Sequence, residues 1–187
     1  MTDSHHCGPG RPRSAASRAA LLDAAYWRML EVGYSALTVD AVAKAAGTGK
    51  QTLYRWWPNK AALVIEAIYV KAAQRIDRPR EAAARGSDLA AFLRAEFVAL
   101  RPLGPSLAPL FAEARQEPQT LAAFREALVE PRCAAIGRIL SQRGVAPAIA
   151  AALAEAIDGA IWRALMLDET LDDALAQRLN GLAPSGL

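Results

Sequence analysis

The chain has 187 residues, of which 53% are apolar and 22% charged, and its formal net charge at pH 7 is +3. This length and apolar content suffice for one compact body or for a small domain and a larger one. Charges interrupt every apolar stretch of membrane-spanning length, so we expect no membrane span. The first residues lack the apolar segment of an export signal, so we expect a cytoplasmic protein.

Leucine and alanine dominate the sequence, and Val, Ile and Thr runs that alternate with polar residues are missing. This composition favours helices over sheet and predicts an all-α fold. The two cysteines, Cys7 and Cys133, are far apart in sequence and give no disulfide framework. His5 and His6 adjoin Cys7, but three neighbouring residues in a Gly/Pro-flanked tail cannot surround a metal ion. We therefore expect free thiols, no bound metal and no cofactor.

The basic excess is confined to the first third of the chain. Residues 1–60 hold eight Lys or Arg and four acidic residues, whereas the remainder has one more acidic than basic residue. No acidic residue falls between Asp40 and Glu66. The basic residues of that segment are Lys44, Lys50, Arg55 and Lys60. Such a distribution suits a surface that faces phosphates.

The first predicted elements are a tail and a helix. Residues 1–14 are polar and contain two prolines that oppose helix formation, so we expect a disordered basic arm. A helix then begins at a cap formed by Ser14 or Ser17 and ends at Gly33. Its apolar positions recur every three or four residues: Leu22, Ala25, Met29 and Val32.

Two short helices joined by a glycine turn are predicted next. Thr38 is the expected N-cap of the first helix. Gly47 and Gly49 end it, and a second short helix follows over residues 50–56. Together these elements form the helix-turn-helix pattern, which we assign to residues 15–60.

The remaining sequence predicts further helices, about nine in all. A connecting helix over residues 61–77 ends where Asp77 to Gly86, a charged segment with a proline, indicates a break. A larger domain follows over residues 78–187. Its helices are expected at 88–101, 106–116, 119–142, 148–167 and 171–182. Pro131 should kink or split the third of these.

The second short helix carries side chains suited to DNA. Its long donors, which can reach base edges in a major groove, are Lys50, Gln51 and Arg55. Its hydroxyls, which suit phosphates, are Thr52 and Tyr54. The flanking helices begin with two further candidate phosphate contacts, Thr38 and Lys60. The alternative is that these residues are simply solvated.

Two tryptophans follow this helix. Trp57 lies four residues after Leu53 and is predicted to belong to the core. Trp56 is about 100° away around the helix. Two interpretations stay open for it: a core position, or an indole N–H that donates to a phosphate.

The N-terminal sequence resembles the DNA-binding domain of the TetR family of bacterial regulators over about residues 15–75. The matching residues are Leu21 to Ala25, Gly33 to Val39, Ala43, Ala46-Gly47, Thr52 to Tyr54 and Asn59-Lys60. This resemblance favours DNA contact over solvated charges for the second short helix. Where the family commonly has Val-Ser, this chain has Thr48-Gly49, so Thr48 is the hydroxyl left to cap that helix. The family often has a phosphate-binding His at the position of Trp56.

The resemblance also implies the wider function. TetR-like proteins are homodimers that pair through their last two long helices and hold a small-molecule effector in the C-terminal domain. We therefore expect a repressor that binds a palindromic operator in double-stranded DNA and leaves it when an effector binds. The effector itself is not implied.

Apolar patterns agree with such a dimer. The helix over 148–167 has one stripe formed by Ile149, Leu153, Ile157, Ile161 and Leu165. A second stripe beside it is formed by Asp158, Trp162 and Met166. The small residues that allow close approach are Ala156, Gly159, Ala160 and Ala164. The last helix has a stripe of Leu171, Leu175, Leu179 and Leu182, and we expect the dimer to bury these surfaces.

Candidate effector contacts are aromatic residues with a few polar anchors. They are Phe92, Phe97, Arg101, Phe111, Asp158, Trp162 and Met166. Core packing is the alternative for each aromatic residue. Asp158, one turn from Trp162, would suit a cationic ligand. In the N-terminal arm, Arg11 and Arg13 could enter an adjacent minor groove or remain in a solvated tail.

The sequence disfavours two other functions. An enzyme is disfavoured because both histidines lie in the tail and no phosphate loop or nucleophile-base pair is evident. An architectural DNA-binding dimer without an effector is disfavoured by the C-terminal domain of about 110 residues, which is more than dimerisation requires.

Overall fold

The computed structural model describes the backbone of residues 11–85 and 88–183 and the side chains of residues 15–72 and 88–183. These residues form ten α-helices and one 3-10 turn and contain no β-strand, which confirms the all-α prediction. In the described part of the chain, no helix is both long and apolar enough to cross a membrane. Cys7, His5 and His6 lie outside it.

The N-terminal helices are α1 (Arg11–Val32), α2 (Val39–Ala45) and α3 (Lys50–Tyr54). Gly33 and Gly47 adopt φ of +76° and +64°, a backbone conformation that glycine takes at little cost, and they end α1 and α2. The arm predicted to be disordered is helical from Arg11 onward, because a proline is tolerated in the first turn of a helix. The side chains of Arg11 and Arg13 lie outside the described residues.

The C-terminal helices follow a long helix, α4 (Lys60–Arg85). They are α5 (Leu89–Leu100), the 3-10 turn (Arg101–Leu103), α6 (Gly104–Ala114), α7 (Pro118–Leu128), α8 (Glu130–Gln142), α9 (Pro147–Met166) and α10 (Asp173–Asn180). α4 packs against α1 and against α5, α6, α7 and α8. It also continues past Pro79, through the segment in which we expected a break.

The split predicted near Pro131 is confirmed. α7 ends at Leu128 and α8 begins at Glu130, so Pro131 falls in the first turn of the new helix. A proline is well accommodated there because its missing N–H would have no partner within the helix.

The apolar stripes of the last two helices differ from prediction. In α9, Ile149 is 56% exposed, because Ala150 and Ala154 face the core in its place, whereas Ile157 is fully buried. α10 packs against α5, and its leucines Leu175 and Leu179 are buried within the chain. Of this stripe only Leu182, 52% exposed, is open to a partner subunit. The last two long helices are α8 and α9.

Candidate nucleic-acid interface

α3 is fixed to the rest of the protein at its C-terminal end. Leu53 is completely buried and Trp57 is 3% exposed, which confirms the core position predicted for Trp57. The Trp57 Nε1–H donates to Glu66 Oε2 at 2.7 Å. The other Glu66 oxygen forms an ion pair with Arg18 of α1. α3 is thus tied to both α1 and α4, which positions its remaining side chains.

The polar side chains of α3 share an outward surface. Lys50, Gln51, Tyr54 and Arg55 are exposed, and Thr52 is half-buried. Lys50 Nζ lies 2.7 Å from Asp40 Oδ1 of α2. Both partners of this pair are more than half exposed, so water screens it and a DNA phosphate can replace the carboxylate at little cost.

The two threonines predicted to be helix caps behave differently. Thr38 Oγ1 accepts the Ala41 N–H at 3.2 Å, which confirms Thr38 as the N-cap of α2. The Thr48 hydroxyl instead donates to the Gly49 carbonyl at 3.3 Å. α3 has no side-chain cap, so Thr48 does not replace the missing hydroxyl at Gly49. The free amides at the start of α3 remain open to an anion.

Lys60 points inward, unlike the donors of α3. Its Nζ lies 4.1 Å from the centre of the Tyr34 ring and donates to the Tyr34 carbonyl at 3.3 Å. It also lies 3.6 Å from Glu113 Oε2 of α6, and the side chain is only 20% exposed. A phosphate would have to compete with Glu113 for this ammonium group.

Asn59 is a structural residue that sequence analysis missed. Its Oδ1 accepts the Ala62 N–H at 2.8 Å and caps α4. Its Nδ2 donates to Glu117 Oε2 at 2.6 Å and to Thr120 Oγ1 at 2.9 Å, which ties α4 to α7. The available signal was an asparagine close to the start of a predicted helix, since asparagine is a preferred N-cap residue.

Trp56 is 43% exposed, so the core interpretation is wrong for its ring. The Arg18 guanidinium lies 5.5 Å from the centres of both the Trp56 and Trp57 rings. The side chain therefore belongs to a surface at the junction of α1, α3 and α4.

The candidate effector residues are only partly brought together. Phe92 and Phe97 are at most 1% exposed and belong to the core. Arg101 is exposed and donates to the Leu171 carbonyl at 2.8 Å. Met166 is 37% exposed. Phe92 and Phe97 belong to the core cluster against which Phe111 and Trp162 pack.

Phe111 and Trp162 do meet, through Phe124. The ring centres of Phe111 and Phe124 are 5.3 Å apart, and those of Phe124 and Trp162 are 5.5 Å apart. Phe124 is buried, whereas the other two rings are half-buried. We call these three rings the aromatic cluster.

A buried ion pair adjoins the aromatic cluster. Arg132 Nε lies 2.5 Å from Asp158 Oδ1, and both side chains are at most 5% exposed. The Arg132 guanidinium also lies 5.6 Å from the centre of the Trp162 ring. Burial raises the pKa of Asp158, although Arg132 opposes the rise. Burial likewise raises the pKa of the neighbouring Cys133 thiol to about 11.

This pairing removes the reason to expect a cationic ligand at Asp158, since Arg132 already neutralises it. Sequence analysis missed Arg132. The available signal was helical spacing: Arg132 lies three residues before Ala135 and seven before Ile139, so it shares their buried face of α8. An arginine on a buried face needs a buried partner.

Comparison with known proteins fits this architecture. A family model described as "Bacterial regulatory proteins, tetR family" matches residues 21–67. YdeS of Bacillus subtilis, an uncharacterized HTH-type transcriptional regulator, is 43% identical over 70 residues, which span 37% of this chain and only 35% of YdeS. The DNA-binding transcriptional repressor TetR of Mycobacteroides abscessus is 30% identical over 176 residues, covering 89% of this chain and 91% of that protein. The chain belongs to the TetR family.

The fold agrees with that membership. The crystal structure of the TetR family transcription regulator SCO0332 is 28% identical and superimposes with a TM-score of 0.67, covering 90% of this chain and 99% of that one. This TetR-family chain is accordingly a DNA-binding transcriptional regulator, and α2 and α3 are its helix-turn-helix.

Proposed function

We propose that this TetR-family protein is a homodimeric repressor that binds a palindromic operator and leaves it when a small molecule binds. The observation that carries the DNA part is the anchoring of α3: Leu53 and Trp57 are buried, while the donors of α3 remain exposed. In a dimer, two such helices about 34 Å apart would enter successive major grooves on one face of the duplex.

Capture of sheared genomic fragments from the source organism tests the operator. We expect the purified protein, at moderate salt and without added ligand, to retain fragments that share a two-fold symmetric site near particular promoters. The matched control is a variant carrying Lys50→Ala and Arg55→Ala, which keeps the buried anchors of α3. Retention of fragments with no common sequence would show purely electrostatic binding and contradict the proposal.

Gln51 and Lys60 should have different roles on DNA. Gln51→Ala is expected to change base preference at one position of each half-site and to cost about 1–3 kcal/mol there. Lys60→Ala should weaken binding to every sequence and reduce the slope of log K against log salt by about one. Fluorescence anisotropy over a salt series distinguishes the two effects. An unchanged salt slope in Lys60→Ala would show that Glu113 and Tyr34 keep this lysine in the complex as well.

The dimer is proposed to form along α8 and α9. Small residues line a groove of about 490 Å³ between these helices, among them Ala134, Gly137 and Ala151. Ile149, 56% exposed at the start of α9, adds an apolar side chain to the same helix. Small side chains let a second pair of helices approach closely, as in a four-helix bundle.

Ala151→Arg should abolish the dimer without unfolding the chain. Ala151 is exposed in the single chain, so an arginine fits there until a partner helix packs against it. Light scattering should then give half the mass of the unmodified protein. The control is Ala122→Arg, an exposed alanine of α7 outside the groove, which should remain dimeric. A dimeric mass for Ala151→Arg would exclude this part of α9 from the interface.

The effector is proposed to contact the aromatic cluster and Arg132. The tilted rings of the aromatic cluster suit an apolar or aromatic molecule. The buried Nη2 of Arg132 has no hydrogen-bond partner within the described residues, so it offers a donor to a carbonyl or carboxylate oxygen. Because α6 and α7 also contact Tyr34 and Asn59, a change in this region would reach the helix-turn-helix.

A further inference from the structure

A second groove lies on the outside of the protein, where the helix-turn-helix meets α7. Its volume is about 550 Å³, which is in the range of about 300–1,000 Å³ that holds small molecules. Its aromatic and acidic lining residues are Trp56, Trp57, Glu66, Tyr69 and Glu126. The groove contains no residue of the aromatic cluster and is separate from the proposed effector contact.

Two large aromatic rings of this groove are open to solvent. Trp56 is 43% exposed and Tyr69 is 48% exposed. Between them the lining includes the small or apolar side chains of Ala62, Ile65 and Ala123. Aromatic faces carry partial negative charge, so they attract cations as well as apolar groups.

One cation already uses this surface. The Arg18 guanidinium lies 5.5 Å from the centres of the Trp56 and Trp57 rings, and it pairs with Glu66. Glu66 also accepts the Trp57 indole N–H, so both of its oxygens are engaged. The tryptophan pair and Glu66 thus bind a planar cation that belongs to the chain itself.

The groove retains one further negative charge. Its lining holds two carboxylates, Glu66 and Glu126, and no lysine or arginine. Arg18 neutralises Glu66, whereas no side chain within residues 15–72 and 88–183 forms an ion pair with Glu126. The lining therefore disfavours an anion and leaves Glu126 to balance a positively charged ligand.

We propose that this groove is a binding site for an organic cation, held by cation–π contact with Trp56 and Tyr69 and by the charge of Glu126. The ligand class is a bulky or aromatic ammonium or phosphonium ion. This assignment does not depend on the operator or on the effector of the preceding section.

Two ions of matched size and opposite charge test the proposal. Tetraphenylphosphonium and tetraphenylborate have the same shape, and isothermal titration calorimetry on the full-length protein measures the affinity of each. We expect the phosphonium to bind at least about tenfold more tightly than the borate, because Glu126 and the aromatic faces favour a cation. Equal affinities, or tighter binding of the borate, would overturn the proposal.

Substitutions then locate the bound cation. Glu126→Gln is expected to weaken phosphonium binding about threefold, and Tyr69→Leu about fivefold, whereas Tyr69→Phe keeps the ring and should keep the affinity. The control Glu169→Gln removes the same charge outside the groove and should leave binding unchanged. Both groove residues are exposed, so the variants should fold, which circular dichroism verifies. If phosphonium affinity is the same in Glu126→Gln, Tyr69→Leu and the unmodified protein, the cation binds elsewhere and the assignment is wrong.

Discussion

Arg132→Met will destabilise the protein by about 3–5 kcal/mol, because it leaves the Asp158 carboxylate buried without its counter-charge. Urea unfolding at pH 7 and a fixed protein concentration measures the change. The control is Arg163→Met, which breaks the exposed pair with Glu169 and should cost less than about 1 kcal/mol. A similar small loss in both variants would show that water reaches Asp158.

Two further measurements separate lost charge from lost packing. Adding Asp158→Leu to Arg132→Met removes the orphaned carboxylate, so much of the lost stability should return.

The loss of stability in the single variant Arg132→Met should also depend on pH. A buried carboxyl with a raised pKa binds protons more tightly in the folded than in the unfolded state, so stability rises as pH falls. The stability lost in Arg132→Met should therefore become smaller as the pH is lowered toward the ordinary aspartate pKa of 3.8.

Trp57→Ala is expected to cost about 3–5 kcal/mol and to abolish operator binding. The side chain is 3% exposed, and its indole N–H is hydrogen-bonded to Glu66. Its loss leaves a cavity under α3 and frees the carboxylate that also holds Arg18. Thermal unfolding gives the stability change, and anisotropy with operator DNA gives the affinity.

The adjacent tryptophan supplies the control. Trp56→Ala removes a ring of the same size that is 43% exposed, so it leaves no buried cavity and should cost less than about 1 kcal/mol. If both variants lost equal stability, the difference in burial between the two rings would not exist in solution. Trp57→Phe should fall between them, because it fills most of the space but leaves Glu66 without one donor.

The helix-turn-helix was largely predictable because its signals are local. Thr38 as a cap, Gly47 at the turn and the four-residue spacing of Leu53 and Trp57 each depend on neighbouring residues only. The split beside Pro131 was predictable for the same reason. By contrast, α1 begins earlier and α4 ends later than expected. Prolines close to helix ends or on long, tertiary-packed helices are weaker breaks than the sequence suggests.

What could not be predicted depends on contacts between distant residues. Lys60 turns toward Glu113, 53 positions along the chain, and Asp158 is neutralised by an arginine of the preceding helix. The stripe of α10 was correctly identified as apolar, but periodicity does not say which surface covers it. In the structure that surface is α5 of the same chain.

In the proposed release from DNA, α4 would act as a lever, because one unbroken helix contacts both halves of the protein. Its 26 residues span about 39 Å at the usual rise of about 1.5 Å per residue. Over such a length, a tilt of about 5° about one end moves the other by about 3 Å, comparable to one base-pair step along the duplex. Under the proposed function, a small angular change of α4 would therefore produce a displacement that double-helical DNA can discriminate.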